Sequence, residues 1–149
     1  MGDTFRNPGC TDVERYGNSM KTIEEVRKFF AKDRFATDSG AYIEEIGECY
    51  AKCSMRLNEH HKNAVGNVMG GVHFTLADFT FAVAANWQKT GVVSLNSTVT
   101  YLGKVKGDTL IAEAICVKEG RSTNCYRIDI KDNQGNDVAM VTITGYRME

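Results

Sequence analysis

Residues 66–87 read GNVMGGVHFTLADFTFAVAANW, with no Pro, Lys or Arg and a single carboxylate, Asp78. A Gly70-Gly71 pair opens the run, and apolar residues then fall on every side instead of in one stripe, the pattern of a helix buried all round. The uncharged stretch either side of Asp78 is too short for a membrane span, and an acid at its centre is expensive in lipid. A buried core helix from the glycine pair to Trp87 is expected. An ionised carboxylate buried without partners costs several kcal/mol, so Asp78 must be neutral, paired or turned towards a polar cleft.

Beyond this helix the chain is strand-like. SLNSTVTYL (94–102), TLIAEAICV (109–117), NCYRIDIKD (124–132) and DVAMVTITGYR (137–147) are separated by the turn-forming runs GKVKGD, KEGRST and NQGN. In NCYRIDIKD, Tyr126, Ile128 and Ile130 alternate with Arg127, Asp129 and Lys131, a period of two that predicts an antiparallel strand with one wet face. Upstream, Tyr42 to Ile46 and Tyr50 to Leu57 are two extended segments meeting near Gly47, as one bent strand or a hairpin. TIEEVRKFFAKD predicts a short amphipathic helix over 22–33, with Thr22 and Glu25 spaced as a capping box. One long apolar helix and five or six antiparallel strands bury their surface together only if the sheet wraps the helix, an α+β hotdog architecture.

The 149 residues suit one domain, 21–149, preceded by an arm over 1–20 that carries the only proline, Pro8. A composition 42% hydrophobic and 25% charged, with a net charge of −1, offers no basic surface for nucleic acid. Five cysteines form no CxxC pair and no signal peptide precedes them, so buried thiols in a cytoplasmic protein are expected.

Asn63, Gly66, Met69-Gly70-Gly71, Leu76-Ala77-Asp78 and Ala85-Asn86 resemble the PaaI-type hotdog thioesterases, whose loop reads Asn-x-x-Gly-x-x-His-Gly-Gly with a helix Asp seven residues beyond. Ser94, Thr100-Tyr101-Leu102, Gly107-Asp108, Gly120-Arg121 and Gly135 fit the same pattern, so the resemblance covers residues 40–147. It implies a metal-free, cofactor-free acyl-CoA thioesterase working as a homodimer or a dimer of dimers. The family histidine before the two glycines is Met69 here, and a histidine follows instead at His73.

By that resemblance Asp78 is the catalytic carboxylate, either nucleophile on the thioester carbonyl or general base for water. Gly70 and Gly71 would offer unpaired helix N–H groups to the developing oxyanion, their missing side chains letting the thioester approach closely. Asn63 would position water or brace the loop, and Ser94 would hold the carboxylate; ordinary turn and strand roles account for both equally. Met69 and His73 would border the substrate, and Arg121 and Lys104, with Lys106, are candidates for coenzyme A phosphates or plain solvated surface. Eight residues of helix put Gly70 about 12 Å from Asp78, so one thioester carbon cannot touch both and the site calls for two chains.

Three competing functions remain open on these residues. The first is a hotdog protein that binds acyl-CoA or another ligand without turnover, favoured by Met69. The second is a dehydratase; His73 and Asp78, about 140° apart on the helix, are poorly placed for its dyad. The third is pure assembly through Phe79, Phe81 and Trp87. The Glu59-His60-His61 run, with His73, lacks the spacing of a metal site.

Overall fold

The structure, a computed structural model, describes residues 21–148. The expected arm over 1–20, including Cys10, lies outside the described residues.

Thr22 accepts the backbone N–H of Glu25 at 3.2 Å and starts helix α1, Ile23–Phe30. The helix expected to run to 33 stops sooner, and a second short helix α2 spans Arg34–Asp38. Between them the N–H of Asp33 bonds the carbonyl of Phe30 and that of Arg34 the carbonyl of Lys32. This turn lets both Phe30 and Ala36 reach the core, Phe30 packing edge-on against Phe79 at 6.2 Å. Two buried apolar contacts outweigh the good helix propensity of Ala31 and Lys32.

Strands β1 (Ala41–Gly47) and β2 (Tyr50–Arg56) form a hairpin with Ala41 opposite Met55, settling that alternative. Helix α3 (Gly70–Asn86) follows, then β3 (Val92–Tyr101), β4 (Thr109–Glu119), β5 (Thr123–Asp132) and β6 (Asp137–Arg147). The sheet order is β1-β2-β4-β5-β6-β3, every neighbouring pair antiparallel. All the strands touch α3, the wrapped arrangement the sequence predicts. Tyr126, Ile128 and Ile130 face inward, and Arg127 and Lys131 face water.

Both ends of α3 are tied down. At its C-terminus the Asn86 amide bonds Val92 in both directions, accepting at 2.8 Å and donating at 3.1 Å, and Trp87 Nε1–H donates to Gly47 C=O at 2.8 Å. One expectation needs correcting: α3 is not buried all round. Gly71, Phe74, Thr75, Asp78, Ala82 and Ala85 keep an open or half-open stripe at helical spacing, while the residues between them are buried. Hydropathy hides the stripe because all but Thr75 and Asp78 are small or apolar. Beside it, edge strand β3 pairs only with β6 among the described residues, and Leu95, Tyr101 and Leu102 there are each more than half exposed.

Cys53, Cys116 and Cys125 are free, the first two buried. Cys49 is disulfide-bonded, which corrects the reading of the cysteines as plain buried thiols.

Candidate active site

The loop before α3 is built by short side chains that satisfy its backbone. Asn58 accepts the N–H of His60 at 2.8 Å and opens a 3-10 turn, Glu59–His61. The buried His61 ring accepts the N–H of Asn58 at Nδ1 (2.9 Å) and sits 2.6 Å from Ser39 C=O at Nε2, so Nε2 carries the proton. With Nδ1 accepting and Nε2 donating, this ring has no lone pair left for a metal. Asn63 Oδ1 accepts the N–H groups of Val65 (3.1 Å) and Asn67 (3.0 Å) and so closes the loop on itself. Gly66 sits at φ 85°, a left-handed conformation glycine adopts without strain.

This loop delivers the start of α3. The Met69 N–H is held by His61 C=O at 2.8 Å, and the Val72 N–H turns back onto Met69 C=O at 2.9 Å. The N–H groups of Gly70 and Gly71 between them have no acceptor among the described residues. Two adjacent free amides at the positive end of a long helix attract a developing negative charge. The Met69 side chain has no donor with which to brace the loop, and His61 does so through its ring and its carbonyl.

Gly70 is further constrained by Tyr101, at the end of β3. A Cβ on Gly70 would lie 2.6 Å from the Tyr101 hydroxyl and 2.9 Å from its Cζ, so any other residue there has to displace the Tyr101 ring. Tyr101 also meets the ring of His73 edge-on at 5.4 Å. His73 is 5% exposed and its Nδ1 lies 3.3 Å from Met69 C=O; burial pushes its pKa down, keeping the ring neutral at neutral pH.

Gly70, His73, Tyr101, Lys62, Lys104 and Asp108 are among the walls of a cleft of ≈ 670 Å³. Its far wall, the loop 103–108, is fastened from beneath by Asp132, which is 1% exposed. The Asp132 carboxylate accepts the backbone N–H of Lys106 (2.9 Å), Gly107 (3.1 Å), Gln134 and Asn136 (both 3.0 Å), and the Asn136 side-chain amide besides. Burial alone would raise its pKa, but these donors hold it well below the usual carboxylate range. Asn133 continues the seam, its Oδ1 accepting the N–H of Asp108 at 3.0 Å.

Asp78 stands apart from this cleft. It sits at the middle of the open stripe of α3, half-buried, and makes no hydrogen bond or ion pair with another described residue. Burial pushes its carboxyl pKa up, and the charge of Asp33 adds to the shift. Ser94 is exposed on β3 opposite Gly145, on the face that carries Val92, and it makes no bond to Asp78 within the chain.

Of the residues singled out in the sequence, Gly70, His73 and Lys104 thus meet at one cleft. Met69 and Gly71 flank it at the surface, Asn63 braces the loop behind it, and Asp78 and Ser94 lie on the uncovered side of the helix and edge strand. Lys106 is exposed on the same loop as Lys104. Arg121 lies in the β4–β5 turn, at the opposite end of β4 from the cleft, roughly 30 Å along an extended strand. Tyr101 and His61 stand in the sequence only as part of the family pattern and of the histidine run, with no role in this cleft assigned to them, and Asp132 is not among the candidates. Asp132 followed by the turn residues NQGN was the one available signal, since a carboxylate before such a turn commonly caps its backbone.

The family model described as Thioesterase superfamily matches residues 65–139. A putative esterase of Archaeoglobus fulgidus is 32% identical, the match covering 85% of this chain and 83% of that protein. Acyl-coenzyme A thioesterase PaaI of Escherichia coli is 30% identical over 87% of this chain and 94% of its own. The solved structure of E. coli PaaI superposes with a TM-score of 0.79 at 29% identity, covering 85% of this chain and 93% of that one. A hypothetical thioesterase protein from Streptococcus pneumoniae, solved with coenzyme A, gives a TM-score of 0.73 at 25% identity, covering 80% of this chain and 96% of that one. With a sheet wrapped around one long helix that starts at a glycine pair, the chain belongs to the thioesterase superfamily, as a thioester hydrolase of the PaaI-type hotdog kind.

Proposed function

We propose that the protein hydrolyses an acyl-coenzyme A thioester to the free acid and coenzyme A, in a dimer whose clefts each draw on two chains. The observation that carries this reading is the pair of free amides at Gly70, on the wall of a cleft, and Gly71 beside it, with Asp78 eight residues beyond Gly70 on the same helix and unbonded to any described residue. The amides stabilise the oxyanion. Asp78 of a second chain, brought in along the open stripe of α3, supplies the nucleophile or the general base. The Ser94 hydroxyl, on the same uncovered side, steadies that carboxylate.

The uncovered apolar surface supports the dimer. Among the described residues, edge strand β3 leaves a row of backbone groups unpaired next to exposed Leu95, Tyr101, Leu102 and Phe74. Such an edge is a template for pairing with a second chain, and large exposed apolar patches mark interfaces. Pairs of such dimers would give the tetramer. Lys62 and Lys104 at the cleft suit the phosphates of coenzyme A. Arg121 would meet the substrate of this cleft only from another subunit. No described helix is long and apolar enough to cross a membrane, and a cytoplasmic site of action belongs to the proposal.

Steady-state hydrolysis of a panel of acyl-coenzyme A thioesters, with Asp78→Asn in parallel, tests the reading. Turnover that Asp78→Asn removes by a hundredfold or more supports it. A second reading, binding without turnover, is favoured by Met69 in place of a hydrogen-bonding histidine. It predicts coenzyme A-induced thermal stabilisation with no release of free thiol from any thioester.

A further inference from the structure

Met69 leaves the start of α3 without the side-chain donor that a histidine would provide, since a thioether donates no hydrogen bond. A different donor stands nearby. Tyr101 comes from the end of β3, and its hydroxyl lies so close over Gly70 that a Cβ there would displace it. That hydroxyl bonds no other described residue, and it shares the cleft wall with Gly70 and His73. Its ring, about half exposed, meets His73 edge-on, and His73 is 5% exposed and held by Met69 C=O, so the contact aims the phenol from a partner with little freedom.

We propose that the Tyr101 hydroxyl donates a hydrogen bond to the carbonyl oxygen of the thioester, sharing that oxygen with the Gly70 and Gly71 amides, and that His73 positions the Tyr101 ring. The proposal rests on the thioesterase reading and adds a residue to it. When the attacking oxygen bonds to the carbonyl carbon, the C=O π pair moves onto the carbonyl oxygen, and three donors then converge on the new charge. Tyr101 keeps its proton throughout; it stabilises charge and transfers nothing. The coenzyme A thiolate leaves as the carbonyl re-forms.

Tyr101→Phe is the test, because it keeps the ring on His73 and removes only the hydroxyl. Its kcat/KM should fall about 10- to 100-fold, the loss of a donor to the carbonyl oxygen. Binding gives a readout that a purely structural ring would not move. The ketone analogue of acetyl-coenzyme A, with methylene for sulfur, keeps the carbonyl oxygen; S-ethyl-coenzyme A lacks it. The wild type should bind the ketone more tightly than the thioether, and Tyr101→Phe should weaken the ketone about tenfold while leaving the thioether unchanged. Equal weakening of both, an unchanged ketone affinity, or a wild type that does not prefer the ketone overturns the proposal. Turnover of the panel by the wild type, and its loss in Asp78→Asn, judge the thioesterase reading separately. An active wild type with an equally active Tyr101→Phe refutes only the role of Tyr101.

Discussion

Replacing Asp132 with alanine removes the anchor beneath the cleft wall. Four backbone N–H groups, of Lys106, Gly107, Gln134 and Asn136, converge on that carboxylate at 2.9–3.1 Å, and a fifth donor comes from the Asn136 side chain. Each buried donor left unpaired costs about 1–3 kcal/mol. Lys106 is exposed and Gln134 borders solvent, so part of that loss is recovered by water, leaving about 3–5 kcal/mol in total. For a domain of this size, about 2–4 °C is lost per kcal/mol, so the melting temperature at pH 7 should fall by roughly 6–20 °C. Asp132→Asn, which keeps one acceptor oxygen, should fall in between. The folded-state pKa lies below the unfolded one, so the contribution is fully present above about pH 4 and fades as the pH falls. The gap between wild type and Asp132→Ala, followed by circular dichroism, should therefore narrow between pH 5 and strong acid. A change in melting temperature under about 2 °C at pH 7, or a gap that widens in acid, would refute this account of the loop.

Gly70→Ala should lower the urea midpoint by the equivalent of about 1–3 kcal/mol, because its Cβ collides with Tyr101. Gly71→Ala, whose Cβ meets only the flexible Met69 Cε at 3.2 Å, should leave the midpoint unchanged or raise it. For Asp78, burial and then Asp33 raise the folded-state pKa, so the proton is held more tightly in the native state and stability falls as pH rises through that value. Asp78→Asn should accordingly melt at or above the wild-type temperature at pH 7, and the acid limb of kcat/KM should lie above the ordinary carboxylate value of about 3.9. Asp33→Asn should shift that limb to lower pH, as read from pH–rate profiles.

The strands were legible because glycine, asparagine and aspartate bound each one and because Tyr126, Ile128 and Ile130 alternate so regularly. The long helix was legible from residues 66–87 alone, and its glycine pair correctly marked its start. Its open stripe was not legible, since Gly71, Ala82 and Ala85 look the same whether they face a sheet or another chain. Nor was the break after Phe30, where tertiary burial of Phe30 and Ala36 decides against local propensity. At the candidate site, Gly70 could be read as backbone chemistry, yet the contact with Tyr101 joins residues far apart in the chain and leaves no periodic trace. Asp132 shows the same limit, for its partners Lys106 and Gly107 come from a different turn.

The central claim, a site assembled from two chains, is tested most directly by subunit complementation. Gly71→Pro removes one oxyanion amide within the first helical turn, where proline is tolerated and where no Tyr101 collision intervenes. Asp78→Asn removes the carboxylate. Each homodimer should be folded, dimeric and at least about a hundredfold less active than wild type. After joint unfolding and refolding in equal amounts, half the dimers are mixed, and one of the two clefts in each pairs an intact Gly71 with an intact Asp78 from the other chain. Recovery of about one quarter of wild-type acyl-coenzyme A hydrolysis is the predicted result. Demonstrably mixed dimers that recover nothing would contradict the account and put the whole site within one chain.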